Sequence, residues 1–408
     1  MDSKTADLKA ADLKAANLKT ANLKTANLKT AARNTIDEER ERLVALSHRI
    51  HAHPELKFEE EQSSAWTAGA LSDAGLAIES GICDLPTAFS MRVGDGPLHI
   101  AICAEYDALP IIGHACGHNI IAASAVGAAL ALAPLADELG ITLSVIGTPA
   151  EEGGGGKVLM LERGGFDGVH AALMVHPTPM EDLYPRVSAV AHMRVNYTGR
   201  ESHAAIAPEL GINAADALTV AQVAIGLLRQ HLRPFDQIHG IVTHGGDATN
   251  VVPAHTEGTW MARSRTLDDL EVLTPRIAHC FEAGALATGS TLAISDVCPP
   301  YAHMDHDHEF AELYRANAGT IGRPESQDGA ATFSTDMGNV SLVIPSIHPC
   351  IAIETGGAVN HQPEFTAAAI NPSADRAVAE GALAMAWTVI DAATGPLRDR
   401  LLHATRAG

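Results

Sequence analysis

Three apolar runs in the first half of the chain each break into a short group of side chains able to hold a divalent metal ion. HIAIC leads through EYDALP to the loop HACGHN, which carries Cys116 and His118; ITLSVIGT leads to Glu151, Glu152 and four glycines; AALMV leads straight to His176. Thiolate, imidazole and carboxylate are the donors of a zinc-like centre. Only Gly117 separates Cys116 from His118. That spacing cannot share one helix face, but a tight turn can aim both side chains at one point. Adjacent glutamates suit two tasks. Glu152 is read as a metal ligand and Glu151, pointing elsewhere, as the general base that takes a proton from water and passes it to a leaving amine. Each group alone has a bland reading, a core thiol beside a loop histidine or a solvated Glu-Glu pair. Their common place after apolar strands argues for a single site.

Ligands of parallel α/β sheets bind at the carboxyl ends of the strands, so the elements behind these groups matter. Hydrophobic patterning predicts helices over 36–50, 63–74, 120–133 and 156–163, alternating with strands over 98–104, 141–147 and 171–175. This order predicts an α/β catalytic domain, a mostly parallel sheet with helices on both faces. Between 187 and 300 the strands become amphipathic, as in SAVAHMRVNYTG and TEGTWMARSRT, with helical stretches at 213–230 and 269–286. A smaller inserted α+β domain, serving as lid or dimerisation unit, is expected there. After Pro300 helix and apolar strand return, ending in an Ala-rich helix at 372–393. The expected organisation is therefore a tail (1–34), a catalytic domain (35–186 and 301–408) and an insertion (187–300). Within the tail, residues 6–30 are five copies of a five-residue ADLKA-like unit. A five-residue step turns a helix by about 500°, so its leucines form no stripe, and a disordered or partly helical segment is expected.

Twenty-eight basic residues stand against 49 acidic ones, a formal charge of -21, which argues against nucleic acid or an anionic membrane as partner. No apolar run is read as reaching the roughly 20 residues of a membrane span. The start, MDSKTADLK, lacks the apolar core of a secretory signal, so the cytoplasm is the expected compartment. Six cysteines, at 83, 103, 116, 280, 298 and 350, are too sparse and irregular for a disulfide framework.

Eight segments in order, HRIHAHPEL, EYDALP, GHACGHN, PAEEGGGG, the histidine after AALMV, GRESHAA, NVVPAHTEG and NHQPEF, together resemble the family-twenty metallopeptidases, in their amino-acid amidohydrolase branch. That branch includes indoleacetyl-amino-acid hydrolases, p-aminobenzoyl-glutamate hydrolase and an aminoacylase-1-like dipeptidase. The resemblance runs from about residue 36 to the C-terminus. It implies two divalent metal ions held by Cys116, His118, Glu152, His176 and His361, with Glu151 as base and Asp107 as a carboxylate orienting a ligand or the attacking water. It further implies that His203, often supplied by a partner subunit, polarises the scissile carbonyl, and that Asn250 and Arg263 hold the substrate carboxylate. Where many members read DMDALP and CGHD, this chain has Glu105-Tyr106-Asp107 and Asn119, as in the aminoacylase-1-like and aminobenzoyl-glutamate group. That change weighs against an auxin-conjugate substrate.

The implied function is hydrolysis of the amide bond of an N-acyl amino acid, an aminobenzoyl-glutamate-like conjugate or a dipeptide, by metal-activated water in a homodimer. The thiolate favours zinc among zinc, manganese, cobalt and nickel. A zinc deaminase would need a CxxC partner, which the chain lacks. A non-enzymatic, metal-stabilised binding module with an interaction tail is the other alternative. Structural metal sites are usually closed by four ligands close in sequence, whereas this one keeps a paired base and a glycine-rich loop.

Overall fold

The computed structural model describes residues 3–326 and 332–404. Leu98–Ala104 and Ile141–Gly147 are buried along their whole lengths: Leu, Ile and Val fill one side, and the other holds Ala101, Cys103 and Ile146 together with the hydrogen-bonded His99, Thr142 and Ser144. Ile100 and Ile102 enter one core, while Ala101 and Cys103 enter another on the opposite face. The six-stranded sheet runs in the order Ile78–Ser80, Phe89–Val93, Ile141–Gly147, Leu98–Ala104, Ala171–Leu173, Ser346–Ile347. Its last four strands are mutually parallel, and the first two join antiparallel at one edge. Helices Ser3–His51, His118–Leu132 and Pro372–Thr394 pack together on one face, and the short helices Gly156–Glu162 and Met337–Val343 cover the other.

Two expectations need correcting. His118–Leu139 is long and apolar enough to cross a membrane by length and composition, but 78% of its most apolar 18-residue stretch is buried inside the fold. Its apolarity on all sides reflects a helix enclosed by two other helices and the sheet. The repeat does not end before the folded body begins: Ser3–His51 is one continuous 49-residue helix, and Leu28, Ala32, Ile36, Leu43, Leu46 and Ile50 on it belong to the main core. Lys29 adds an ion pair to Asp391 at 2.6 Å and a hydrogen bond to Asn317 at 2.8 Å.

A second sheet takes the order Thr291–Asp296, Ala189–Thr198, His255–Ser264, Gln237–His244, antiparallel throughout. Helices Ala214–Leu228 and Leu267–Thr288 pack on one face around a separate core containing Val195, Tyr197, Trp260, Ile277 and Phe281. The chain crosses between the two sheets beside a short parallel pair, Arg186–Val187 with Thr332–Phe333.

Candidate metal centre

The carboxyl ends of the parallel strands supply most of the site. Glu105 and Asp107 follow Leu98–Ala104, and Glu151 and Glu152 follow Ile141–Gly147. His176 opens the short strand His176–Thr178, which pairs with Cys350–Ala352. Cys116 and His118 come from the turn that starts the helix His118–Leu132. That turn needs its glycine: Gly117 has φ +75°, and a Cβ there would run into the Pro177 ring.

The donor atoms of Cys116, His118 and His176 lie within 4.8 Å of one another, as do those of Cys116, Glu152 and His361. Two three-donor groups therefore share one thiol. A third group, Glu105, His118 and Glu151, closes within the same distance. The two adjacent glutamates thus face different neighbours, Glu152 toward Cys116 and His361, Glu151 toward His118 and Glu105. His361 sits on an exposed turn with φ +70°, and its backbone N–H donates to Ala115 O at 3.0 Å.

Other side chains fix this arrangement. Asp107 is buried; one oxygen accepts from His118 Nδ1 at 2.9 Å, and the other accepts the Glu152 N–H at 2.8 Å. Burial opposes its charge, but His118 and these hydrogen bonds hold its carboxyl below the usual range. Ala150, a non-glycine residue at φ +60°, aims the glutamate pair. Its N–H donates to Glu60 Oε1 at 2.8 Å, and Thr87 donates to Glu60 Oε2 at 2.9 Å. Burial, then the charge of Asp107, pushes Glu60 up to about 7. Tyr301 donates its hydroxyl to Glu151 O at 2.6 Å and accepts the Gly155 N–H at 2.8 Å, pinning the glycine loop.

The donors fit divalent ions. His118 Nε2 and Glu152 Oε1 are buried without a hydrogen-bond partner, an expensive arrangement unless something positive binds there. His176 donates Nδ1–H to Pro177 O at 3.0 Å, which leaves Nε2 free, and burial pulls its pKa down to about 4. Both histidines therefore have one nitrogen anchored by an acceptor, the usual arrangement of metal-binding imidazoles. Burial, followed by the charges of Glu152, Glu105 and Asp336, raises Glu151 well above the carboxylate range.

His203 and Asn250 lie together on exposed loops of the inserted unit, outside these donor groups. His203 Nδ1 accepts the Ala205 and Ile206 N–H groups, both at 3.2 Å, and Asn250 O accepts the Ala204 N–H at 3.0 Å. Arg263 is half-buried and donates to Ser334 Oγ at 2.7 Å, where the chain crosses between the two sheets. Sequence reasoning missed Glu60, Tyr301, Lys157 and Asp336. Lys157, first residue after the four glycines, reads as a solvated helix charge, since its partners Glu105 and Asp336 are 52 and 179 positions away. His348 was missed as well; it stacks at 5.4 Å on His176, and nothing in the run IPSIHPC marks it.

Residues 101–379 match the sequence profile of Peptidase family M20/M25/M40. The chain is 36% identical to the Xaa-Arg dipeptidase of Mus musculus over 379 residues, 88% of each protein. It is 32% identical over 280 residues to one of the subunits of the p-aminobenzoyl-glutamate hydrolase of Escherichia coli, covering 64% of this chain and 58% of that one. Among solved structures, a dinuclear metal binding peptidase of the M20 family from Bacillus subtilis superimposes with a TM-score of 0.66 at 20% identity, over 87% of this chain and 98% of that one. The chain belongs to Peptidase family M20/M25/M40 and is a metal-dependent hydrolase of amide bonds.

Proposed function

We propose that the chain hydrolyses the amide bond of small dipeptide-like or N-acyl amino acid substrates, with two divalent ions, zinc foremost, at the Cys116-centred site. The observation that carries this is the pair of three-donor groups sharing Cys116, with Glu151 beside one of them. The activities named for the mouse dipeptidase, the aminobenzoyl-glutamate hydrolase and the N-acetyl-L-cysteine deacetylase of Bacillus subtilis, 30% identical over 248 residues, supply the range of substrates.

Bound metal ions would supply Lewis-acid polarisation of the carbonyl and acidification of water. The chain's own residues do the rest. Glu151 takes the proton of the attacking water and returns it to the departing amine. Asp107 orients His118 and the Glu152 backbone, while Glu60 and Tyr301 hold the loop that aims Glu151. His203, reaching the site from a second copy, donates to the developing oxyanion, and Asn250 and Arg263 bind the substrate carboxylate. A homodimer is supported by apolar side chains exposed on the inserted unit, Leu227, Ile241 and Val242 among them. Six free thiols suit a reducing compartment such as the cytoplasm. The test is hydrolysis of a panel of Xaa-Arg dipeptides, p-aminobenzoyl-glutamate and N-acetyl amino acids by metal-loaded protein. Dipeptides are expected to give the highest kcat/KM; cleavage of none of the panel would overturn the proposal.

A further inference from the structure

Lys57 and Arg263 are cations whose partners are all neutral. Arg263, half-buried on His255–Ser264, donates to Ser334 Oγ at 2.7 Å and to Met261 Sδ at 3.9 Å. Lys57, exposed on the large unit, donates to Gly153 O at 2.8 Å, in the glycine loop that follows Glu151 and Glu152. Neither forms an ion pair among the described residues, although acidic side chains outnumber basic ones by 49 to 28. A half-buried guanidinium without a carboxylate is costly unless an anion binds it.

Both charges act on His192. It pairs with Met261 across the small sheet, on the face turned away from the two helices, so Arg263 is its neighbour one pleat along. Its ring meets the Tyr301 ring at 5.8 Å, and Tyr301 is the residue that pins the glycine loop. Burial first, then the charges of Arg263 and Lys57, pull His192 down to about 4, so the ring is neutral. Cys298 Sγ lies 3.3 Å from its Nδ1, and burial pushes this thiol up to about 11. The protonated thiol donates to Nδ1, which puts the ring hydrogen on Nε2, an atom with no partner among the described residues. Three donor groups, two of them charged, therefore gather where the large and small units meet, within reach of the loop that carries the base.

We propose that Lys57 and His192 form a second anion subsite beside Arg263, so that the residue released as the amine carries two carboxylates. Arg263 takes the α-carboxylate, and the Lys57 ammonium with His192 Nε2–H takes the side-chain carboxylate of a glutamate-like or aspartate-like residue. The inference rests on the hydrolase reading above and narrows its substrates to conjugates of acidic amino acids. It also explains why the only lysine on the glycine loop's carbonyls has no acidic partner.

The experiment measures kcat/KM of metal-loaded full-length protein on alanyl-glutamate, alanyl-glutamine and alanyl-arginine, for wild type, Lys57→Met and Lys57→Arg. Glutamate and glutamine side chains match in size and differ by one charge, and a ratio of two substrates does not depend on how much of a sample is folded. Wild type should prefer alanyl-glutamate to alanyl-glutamine by about 10- to 100-fold, the worth of one charged hydrogen bond. Lys57→Met should remove most of that preference and Lys57→Arg should keep it. Wild type that cleaves alanyl-glutamine or alanyl-arginine as well as alanyl-glutamate, or a preference untouched by Lys57→Met, would overturn the inference alone and leave the hydrolase standing. Hydrolysis of none of the three would overturn the reading on which it rests.

Discussion

Glu151 and Glu152 are adjacent yet serve different neighbours, because Ala150 at φ +60° turns the chain just before them and Glu60 holds that turn. Replacing Glu151 with Gln removes the base while sparing every donor of the two groups that share Cys116. Its kcat should fall by about 10²–10⁴-fold with both ions still bound, as measured by metal analysis beside steady-state kinetics. Loss of metal with activity would instead make Glu151 a ligand. Glu60 has a different signature. Its carboxyl titrates near 4.5 when unfolded and at about 7 in the fold, so the native state holds the proton more tightly. Its contribution to stability is complete below 4.5 and is lost as pH rises through about 7. Glu60→Gln should therefore flatten the fall in Tm over that window, followed by calorimetry on metal-free protein; an unchanged slope would assign the fall to other groups.

Elements buried on both faces were the most legible. Leu98–Ala104 and Ile141–Gly147 lie where their apolar runs predict, since both strands are buried along their whole lengths. The short antiparallel strands Ile78–Ser80 and Phe89–Val93 were not anticipated; three to five residues with polar side chains interleaved give little periodic signal. Of the site, the groups following strands could be read from the chain, whereas His361 depends on a turn built by distant sequence and came only from family likeness. The repeat obscured the start of the core: Leu28 lies in the last ANLKT unit and also begins the stripe Leu28, Ala32, Ile36, Leu43. Deleting residues 1–20, which leaves Leu28, Lys29 and Ala32 in place, should lower Tm less than deleting 1–34. Deleting 1–34 removes Leu28 and Ala32 from the core and the Lys29–Asp391 ion pair with them, and should destabilise strongly, Leu28→Ala alone by about 2–5 kcal/mol in denaturant unfolding. Equal Tm for the two truncations would mean that the helix packs there without holding the fold.

At the scale of the whole molecule, the metal donors lie on turns and strand ends of the unit built on the six-stranded sheet, whereas His203 and Asn250 sit on exposed loops of the smaller unit. If His203 completes the site of a second copy, the two halves can be repaired in trans. Mixing inactive His203→Ala with inactive Glu151→Gln, after exchange of subunits, should restore part of the wild-type activity, because one site of each mixed dimer is intact. No recovery in a verified mixed dimer would place His203 in the site of its own chain and not in a partner's. The most direct test of the central claim is hydrolysis of a dipeptide by chelator-stripped protein as divalent metal is returned. Activity should be absent without metal, rise on addition and saturate at two ions per chain. Undiminished hydrolysis by the stripped chain, or two bound ions with no hydrolysis of any amide offered, would contradict it.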